Sequence, residues 1–248
     1  MTATSLTRPL GMLGRMSYLL RLLLPDHPGA LGAVATALGN AGIDIASLTV
    51  VERTPECAVD DMIVLLPPGG LADRVLTAAH SVAGVVVESL RPYQADGAGV
   101  SDDLELVDAL TDRPGEAAAV LTELVPGVFH ADWAILLEYV APGDIRVREA
   151  SVAAPNLGGD DLGVPERISI SCPWLPLRQA RRLAPEDGEF PPRWQAVSME
   201  LAAAPVGSER RAILVGRPGG PVFRSSEVAR LAHLAGIAAN LSRAAGQP

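Results

Sequence analysis

The chain contains no lysine; all 20 of its basic side chains are arginine. A Schiff-base lysine and a Walker-type phosphate lysine are therefore excluded. Cysteine is nearly absent: Cys57 and Cys172 stand alone, and no CxxC or HExxH occurs. Of the four histidines, His27, His80, His130 and His233, no two lie four apart. No metal site and no cofactor is expected from this set, and a reduced, cytoplasmic protein is the expectation. Aromatic residues make up only 4%, against 48% hydrophobic overall, so Ala, Val and Leu must fill most of the core. A long uninterrupted apolar run is also missing. Leu10 to Leu24 is broken by Arg15 and Arg21, which argues against a membrane span. With no small-residue cleavage site after it, it does not read as a signal peptide either. Residues 1–15 read as a tail, with Met16 as an alternative start. The net charge of −9 argues against nucleic-acid binding, which needs clustered positive charge.

What is present suggests two domains in 248 residues. Tyr18 to Leu24 reads as a strand buried on both faces. A turn at Pro25 to Gly29 follows. Leu31, Val34, Ala35 and Leu38 then keep the spacing of a helix burying one face, which Asn40 and Gly42 end. Ile43-Asp44-Ile45 opens a second strand running to about Glu52. Its alternation slips between Ile45 and Leu48, which predicts a bulge or bend. Ala58 to Leu66 forms a third strand, and Leu71 to Ala79 a second helix. Gly84 introduces a fourth strand over 85–90. The order βαββαβ is the ferredoxin-like arrangement, an antiparallel sheet with both helices on one face.

The turn Asp26-His27-Pro28-Gly29-Ala30-Leu31 is the chemically informative stretch. Proline fixes one dihedral, and glycine permits close backbone approach. Free N–H groups at a helix start suit a carboxylate. Asp26 is placed to cap the helix or to pair with an α-ammonium; His27 is otherwise an exposed turn residue.

Residues 16–93 resemble an ACT domain, a module that often senses amino acids. The resemblance rests on Asp26-x-Pro28-Gly29-x-Leu31, on Ala41-Gly42-Ile43-Asp44-Ile45 some ten residues on, and on Ser47-Leu48. It implies pairing of two copies through their sheets, with a small-molecule ligand between this turn and the start of the second strand. The contacts so implied are Asp26, His27, Pro28, Gly29, Ala30, Leu31, Asn40, Ile43, Asp44 and Ile45. Asn40 has the alternative reading of a simple helix C-terminal residue.

Residues 94–101 read as a linker of small residues, and Ser101 as a cap for the helix after it. Over 102–248 the expected order is two helices, a hairpin of Trp133–Val140 with Ile145–Val152, and a loop with a short helix at Leu177–Leu183. Strands at Trp194–Ala204 and Arg211–Val215 follow, and a long helix at Phe223–Ser242, capped at Ser225 or Ser226, closes the chain. Gly216, Phe223, Glu227 and Leu231 make this ending resemble a GAF domain, an α+β module with an antiparallel sheet. By that resemblance Trp133, Trp174, Trp194 and Arg217 are candidates to line a second pocket; core tryptophans and a solvated arginine are the plainer readings. Asp112-Arg113-Pro114-Gly115 echoes the first turn and raises the alternative of a second ACT module, but Leu104 to Leu110 keeps helical spacing.

No nucleophile is paired with a base at a recognisable spacing. The acidic pairs Asp60-Asp61, Asp102-Asp103 and Asp160-Asp161 place neighbours on diverging directions. The expectation is a non-enzymatic homodimeric regulator that binds an amino acid or related metabolite, with no nucleic acid and no membrane partner. A purely structural assembly protein and a small enzyme using the GAF-like cavity are the alternatives.

Overall fold

The computed structural model describes residues 16–93, 102–142, 144–155, 172–184 and 197–246. The chain divides into two units, Met1–Gly99 and Val100–Pro248. The tail of residues 1–15, the linker 94–101 with its cap Ser101, and Trp194 lie outside the described residues.

The first unit runs β1 (Ser17–Pro25), α1 (Ala30–Asn40), β2 (Asp44–Arg53), β3 (Cys57–Leu65), α2 (Asp73–His80) and β4 (Val86–Tyr93). Its sheet has the order β2-β3-β1-β4, antiparallel throughout. This is the βαββαβ arrangement expected from the sequence. β1 is buried almost along its length because it lies between two neighbours. Tyr18, Leu20, Leu22 and Leu24 of β1 share one core with Met62 and Val64 of β3, with Val34 and Leu38 of α1, and with Val75 and Ala79 of α2. Alternate residues of each strand thus meet both helices on one face. The predicted irregularity in β2 is a shift of register between Ile45 and Ser47. Gly84 sits at φ 78°, where a Cβ would stand 2.8 Å from Cγ of Pro25, so the entry to β4 packs directly on the end of β1.

The second unit holds α3 (Asp102–Asp112), a 3-10 turn at Pro114–Glu116, α4 (Ala117–Val128), β5 (Trp133–Ala141), β6 (Asp144–Ala150), β7 (Arg181–Leu183), β8 (Glu200–Val206), β9 (Ser208–Arg217) and α5 (Ser225–Ala245). The sheet order is β6-β5-β9-β8-β7, again antiparallel. Period-2 alternation splits its side chains between two cores. Ala134, Leu136, Ile213 and Val215 pack with α3, α4 and α5. Trp133, Ile135, Leu137 and Leu214 face the other way, against Trp174, Leu175 and Leu177.

Three expectations are corrected here. The helix at Leu177–Leu183 is not formed; Arg181–Leu183 is strand β7, paired to β8, while Leu177 N–H donates to the Glu209 carbonyl at 2.7 Å. Sheet pairing gives these backbone groups partners, which overrides a weak helical spacing. Of the strand expected over Trp194–Ala204, the described part begins with a turn at Val197 and Ser198 and is strand from Glu200. The cap of α5 is not a serine. Glu227 Oε2 accepts from the Arg224 N–H at 2.8 Å. The echo at Asp112–Gly115 follows helix α3 rather than a strand, so it does not open a second ACT module.

Candidate ligand site at the first helix

α1 starts without a side-chain cap. Its N-cap residue is Gly29, at φ 93° and ψ −14°, a left-handed conformation that favours glycine. A Cβ added there would meet nothing within 4 Å, so it is backbone geometry and not crowding that selects glycine. Around it, His27 N–H donates to the Pro25 carbonyl (2.9 Å), Ala30 N–H to the His27 carbonyl (3.3 Å) and Ala33 N–H to the Gly29 carbonyl (2.9 Å). The N–H groups of Gly29, Leu31 and Gly32 donate no hydrogen bond to the described residues. Pro28 has no N–H to offer. The first turn thus carries three donors and the positive end of the helix dipole, with no acidic side chain in that turn.

Asp26 does not cap α1. Its carboxylate is held by Arg53 of β2, with Nε at 3.0 and 3.1 Å from the two oxygens and Nη2 at 2.8 Å from Oδ1. Asp26 in turn pushes the Arg53 guanidinium further up from its ordinary value, through the hydrogen bond first and its charge second. Arg53 was not among the residues singled out in the sequence. It stands 27 residues away and reaches the turn only because β2 pairs with β3, and β3 with β1, so that Arg53 and Leu24 both sit opposite Ala58. Nothing local signals this. His27 is exposed, its Nδ1 3.1 Å from the Pro28 carbonyl oxygen. Ala30 is buried, and Leu31 packs partly on the core.

The remaining candidates lie at the other end of α1. Asn40 is its last residue and is exposed; Ala41 and Gly42 turn the chain, with Gly42 at φ 72°. Ile43 is buried in the core, Asp44 is exposed and Ile45 is half-buried. Arg74 Nη2 donates to the Ala41 carbonyl at 2.8 Å and fixes this second turn to α2. Eleven helical residues span about 16 Å. Within one copy, therefore, the group Asp26 to Leu31 and the group Asn40 to Ile45 are kept apart by the length of the helix.

In the second unit, Trp133 and Trp174 are buried members of the core on the face opposite the helices. Trp133 packs directly on Gly216: a Cβ there would stand 2.1 Å from Cε2 and Cζ2 of its ring. Arg217 is on the helix-bearing side and fully buried. It donates through Nη1 to the Pro221 carbonyl (2.9 Å) and through Nη2 to Glu227 Oε1 (2.9 Å) and the Phe129 carbonyl, and it stacks 4.1 Å from the Phe223 ring centre. The described members of this set thus do not share one pocket. The solvated reading of Arg217 is also corrected: its charge is compensated inside the protein.

Among the described residues, no group of three His, Cys, Asp or Glu side chains is placed to hold a metal ion. No described helix is long and apolar enough to cross a membrane.

Comparison with known proteins adds the following. The chain is similar to the GAF domain/HD domain protein of Geobacter sulfurreducens, at 18% identity and TM-score 0.38, covering 56% of this chain and 96% of that one. It is also similar to the GAF domain of a protein from Pseudomonas syringae pv. tomato, at 11% identity and TM-score 0.33, covering 57% and 88%. A third likeness is to the chromophore-binding domain of a bacteriophytochrome from R. palustris, at 12% identity and TM-score 0.35, covering 92% and 94%. No curated relative matches the chain. The family model of the ACT domain matches residues 18–90, the segment that carries all six elements of the first unit and the unpartnered turn of α1. The N-terminal unit of this chain is an ACT domain.

Proposed function

We propose that the protein is a non-enzymatic regulator whose ACT domain binds a carboxylate-bearing metabolite, an amino acid first among them, at the start of α1. The observation that carries this reading is the set of three unpartnered N–H groups at Gly29, Leu31 and Gly32, beside a glycine held at φ 93°. A ligand carboxylate there exchanges its water for fixed donors at the positive end of a helix. Asp26, one face of which is taken by Arg53, is the acceptor nearest in sequence for an α-ammonium group.

A second copy of the chain completes the site in this reading. The Asn40–Ile45 group is about 16 Å from the turn within one copy. β2 is an edge strand with Leu48 and Val50 exposed, which suits pairing of two sheets. The second unit, read as GAF-like from its antiparallel sheet and the Phe223–Glu227–Leu231 ending, then relays or integrates the signal.

Thermal denaturation of the full chain against each of the twenty amino acids tests the proposal. One or two of them are expected to raise the melting temperature; saturation at a hundredfold over Kd corresponds to about 2.7 kcal/mol. Gly29→Ala, which disfavours the left-handed turn without filling space, is expected to abolish that rise. No rise with any amino acid favours an assembly role instead.

A further inference from the structure

The second unit carries a cavity lined by two arginines. Eight described arginines are paired with carboxylates: Arg21 with Asp61, Arg53 with Asp26, Arg146 with Asp144, Arg148 with Glu138, Arg178 with Glu209, Arg182 with Glu200, Arg217 with Glu227 and Arg230 with Asp103. Arg74 and Arg210 instead donate to the backbone carbonyls of Ala41 and Tyr139. Arg211 and Arg243 have neither a carboxylate nor a backbone carbonyl as partner among the described residues. Both line one cavity of about 340 Å³, bounded by the β8–β9 hairpin, the first turn of α4 and the last turns of α5.

No carboxylate lines that cavity. Arg211 lies on β9; its Nε is buried and has no hydrogen-bond partner. Its direct neighbour across β5 is Glu138, which is already engaged by Arg148. Arg243 reaches only the amide oxygen of Asn240, at 3.2 Å. A cation in the last turn of a helix suits the helix carbonyls, so Arg243 alone says nothing. Arg211 comes from a different element and has no such account. The hydroxyls of Ser208 and Ser242, on the same wall, also have no partner among the described residues. Ala118, Val206 and Ala239 supply apolar surface, and the hairpin tip at Gly207 packs on Ala239 at 3.5 Å from a notional Cβ.

We infer that this cavity is a binding site for a phosphate dianion, carried by a small phosphomonoester whose organic part lies on the apolar wall. Two guanidinium groups and two hydroxyls offer more donors than a monovalent anion uses, and planar guanidinium forks match phosphate oxygens. The volume is at the lower end for small-molecule pockets, larger than one phosphate requires. The site is independent of the ACT turn, in element and in unit.

Titration calorimetry of the full chain with inorganic phosphate and with phenyl phosphate tests this, against sodium chloride at matched ionic strength. One site per chain that is sensitive to changes at Arg211 and Arg243 is expected for both. Tighter binding of phenyl phosphate assigns the cavity to an ester, and equal binding assigns it to free phosphate. Arg211→Gln and, separately, Arg243→Gln are each expected to weaken binding about tenfold or more. Should Arg211→Gln fail to fold, Ser242→Asp serves in its place and is expected to abolish binding by repulsion. Gly29→Ala is expected to leave phosphate affinity unchanged, which separates this site from the one at α1. No heat above the chloride control, or full affinity in both arginine variants, overturns the inference.

Discussion

Arg21 and Asp61 face each other across β1 and β3 and join through two bonds of 2.7 Å, Nε to Oδ1 and Nη2 to Oδ2, with both side chains almost wholly buried. A paired charge of this kind is tolerated inside a sheet because each partner compensates the other's lost hydration. Asp61→Ala, which strands the guanidinium, is expected to cost about 3–5 kcal/mol in urea unfolding of the full chain. The double change Arg21→Met with Asp61→Leu is expected to recover most of that loss. A mild effect of Asp61→Ala alone contradicts the burial of the pair.

The adjacent residue behaves differently. Asp60 points to the helix-bearing side, opposite Leu22, and is buried with Oδ1 unpartnered. Burial first, and the charge of Asp61 second, push its carboxyl above its ordinary 3.8, partly opposed by Arg53. The folded state therefore holds this proton to higher pH than the unfolded state. Between 3.8 and the raised value, folding takes up a proton, so this group's contribution falls as pH rises and stays unfavourable above that window. Asp60→Asn is expected to raise stability at pH 7 relative to the parent, with the two converging in acid. Urea midpoints measured from pH 3 to pH 8 check this; an equal difference at every pH contradicts it.

In the second unit the corresponding buried pair is Arg217 with Glu227. Glu227 also accepts from the Arg224 N–H and so fixes the start of α5. Glu227→Ala removes both roles. A loss of about 3–5 kcal/mol is expected from the stranded arginine, with about 1 kcal/mol more from the lost cap. Far-UV circular dichroism through a denaturant titration gives the number, and a loss under about 1 kcal/mol contradicts the account.

Much of the first unit was legible because its signals are local. The Pro28-Gly29 turn, the spacing of Leu31, Val34 and Leu38, and the slip in alternation after Ile45 each depend on a few neighbouring residues. The Asp26–Arg53 pair was not legible, since it depends on two strand registers at once. In the second unit the spacing around Leu177 suggested a helix because nothing in the segment announces that its end pairs with β8. Arg217 read as solvated because its partner stands ten residues on, and only the turn at the end of β9 folds the two together. At the Phe223, Glu227 and Leu231 ending, the role of Glu227 as an internal counter-charge to Arg217, and of Phe223 and Leu231 as core residues, needed the structure.

Gly216 offers a sharp packing test. Its Cα lies beneath the Trp133 ring so closely that any side chain collides with it. Gly216→Ala is expected to displace the indole and cost about 1–3 kcal/mol or more, since ring and backbone share a filled core. Tryptophan fluorescence and near-UV circular dichroism report the displacement. An unchanged spectrum at parental stability contradicts the placement of Trp133.

The central claim concerns three backbone groups, and amide NMR reads them directly. In a ¹⁵N-labelled full chain titrated with the amino acid that raises the melting temperature, the signals of Gly29, Leu31 and Gly32 are expected to shift saturably and downfield, as amide protons do on donating to a carboxylate. Saturable binding that leaves those three signals in place while others move would contradict the site at the start of α1.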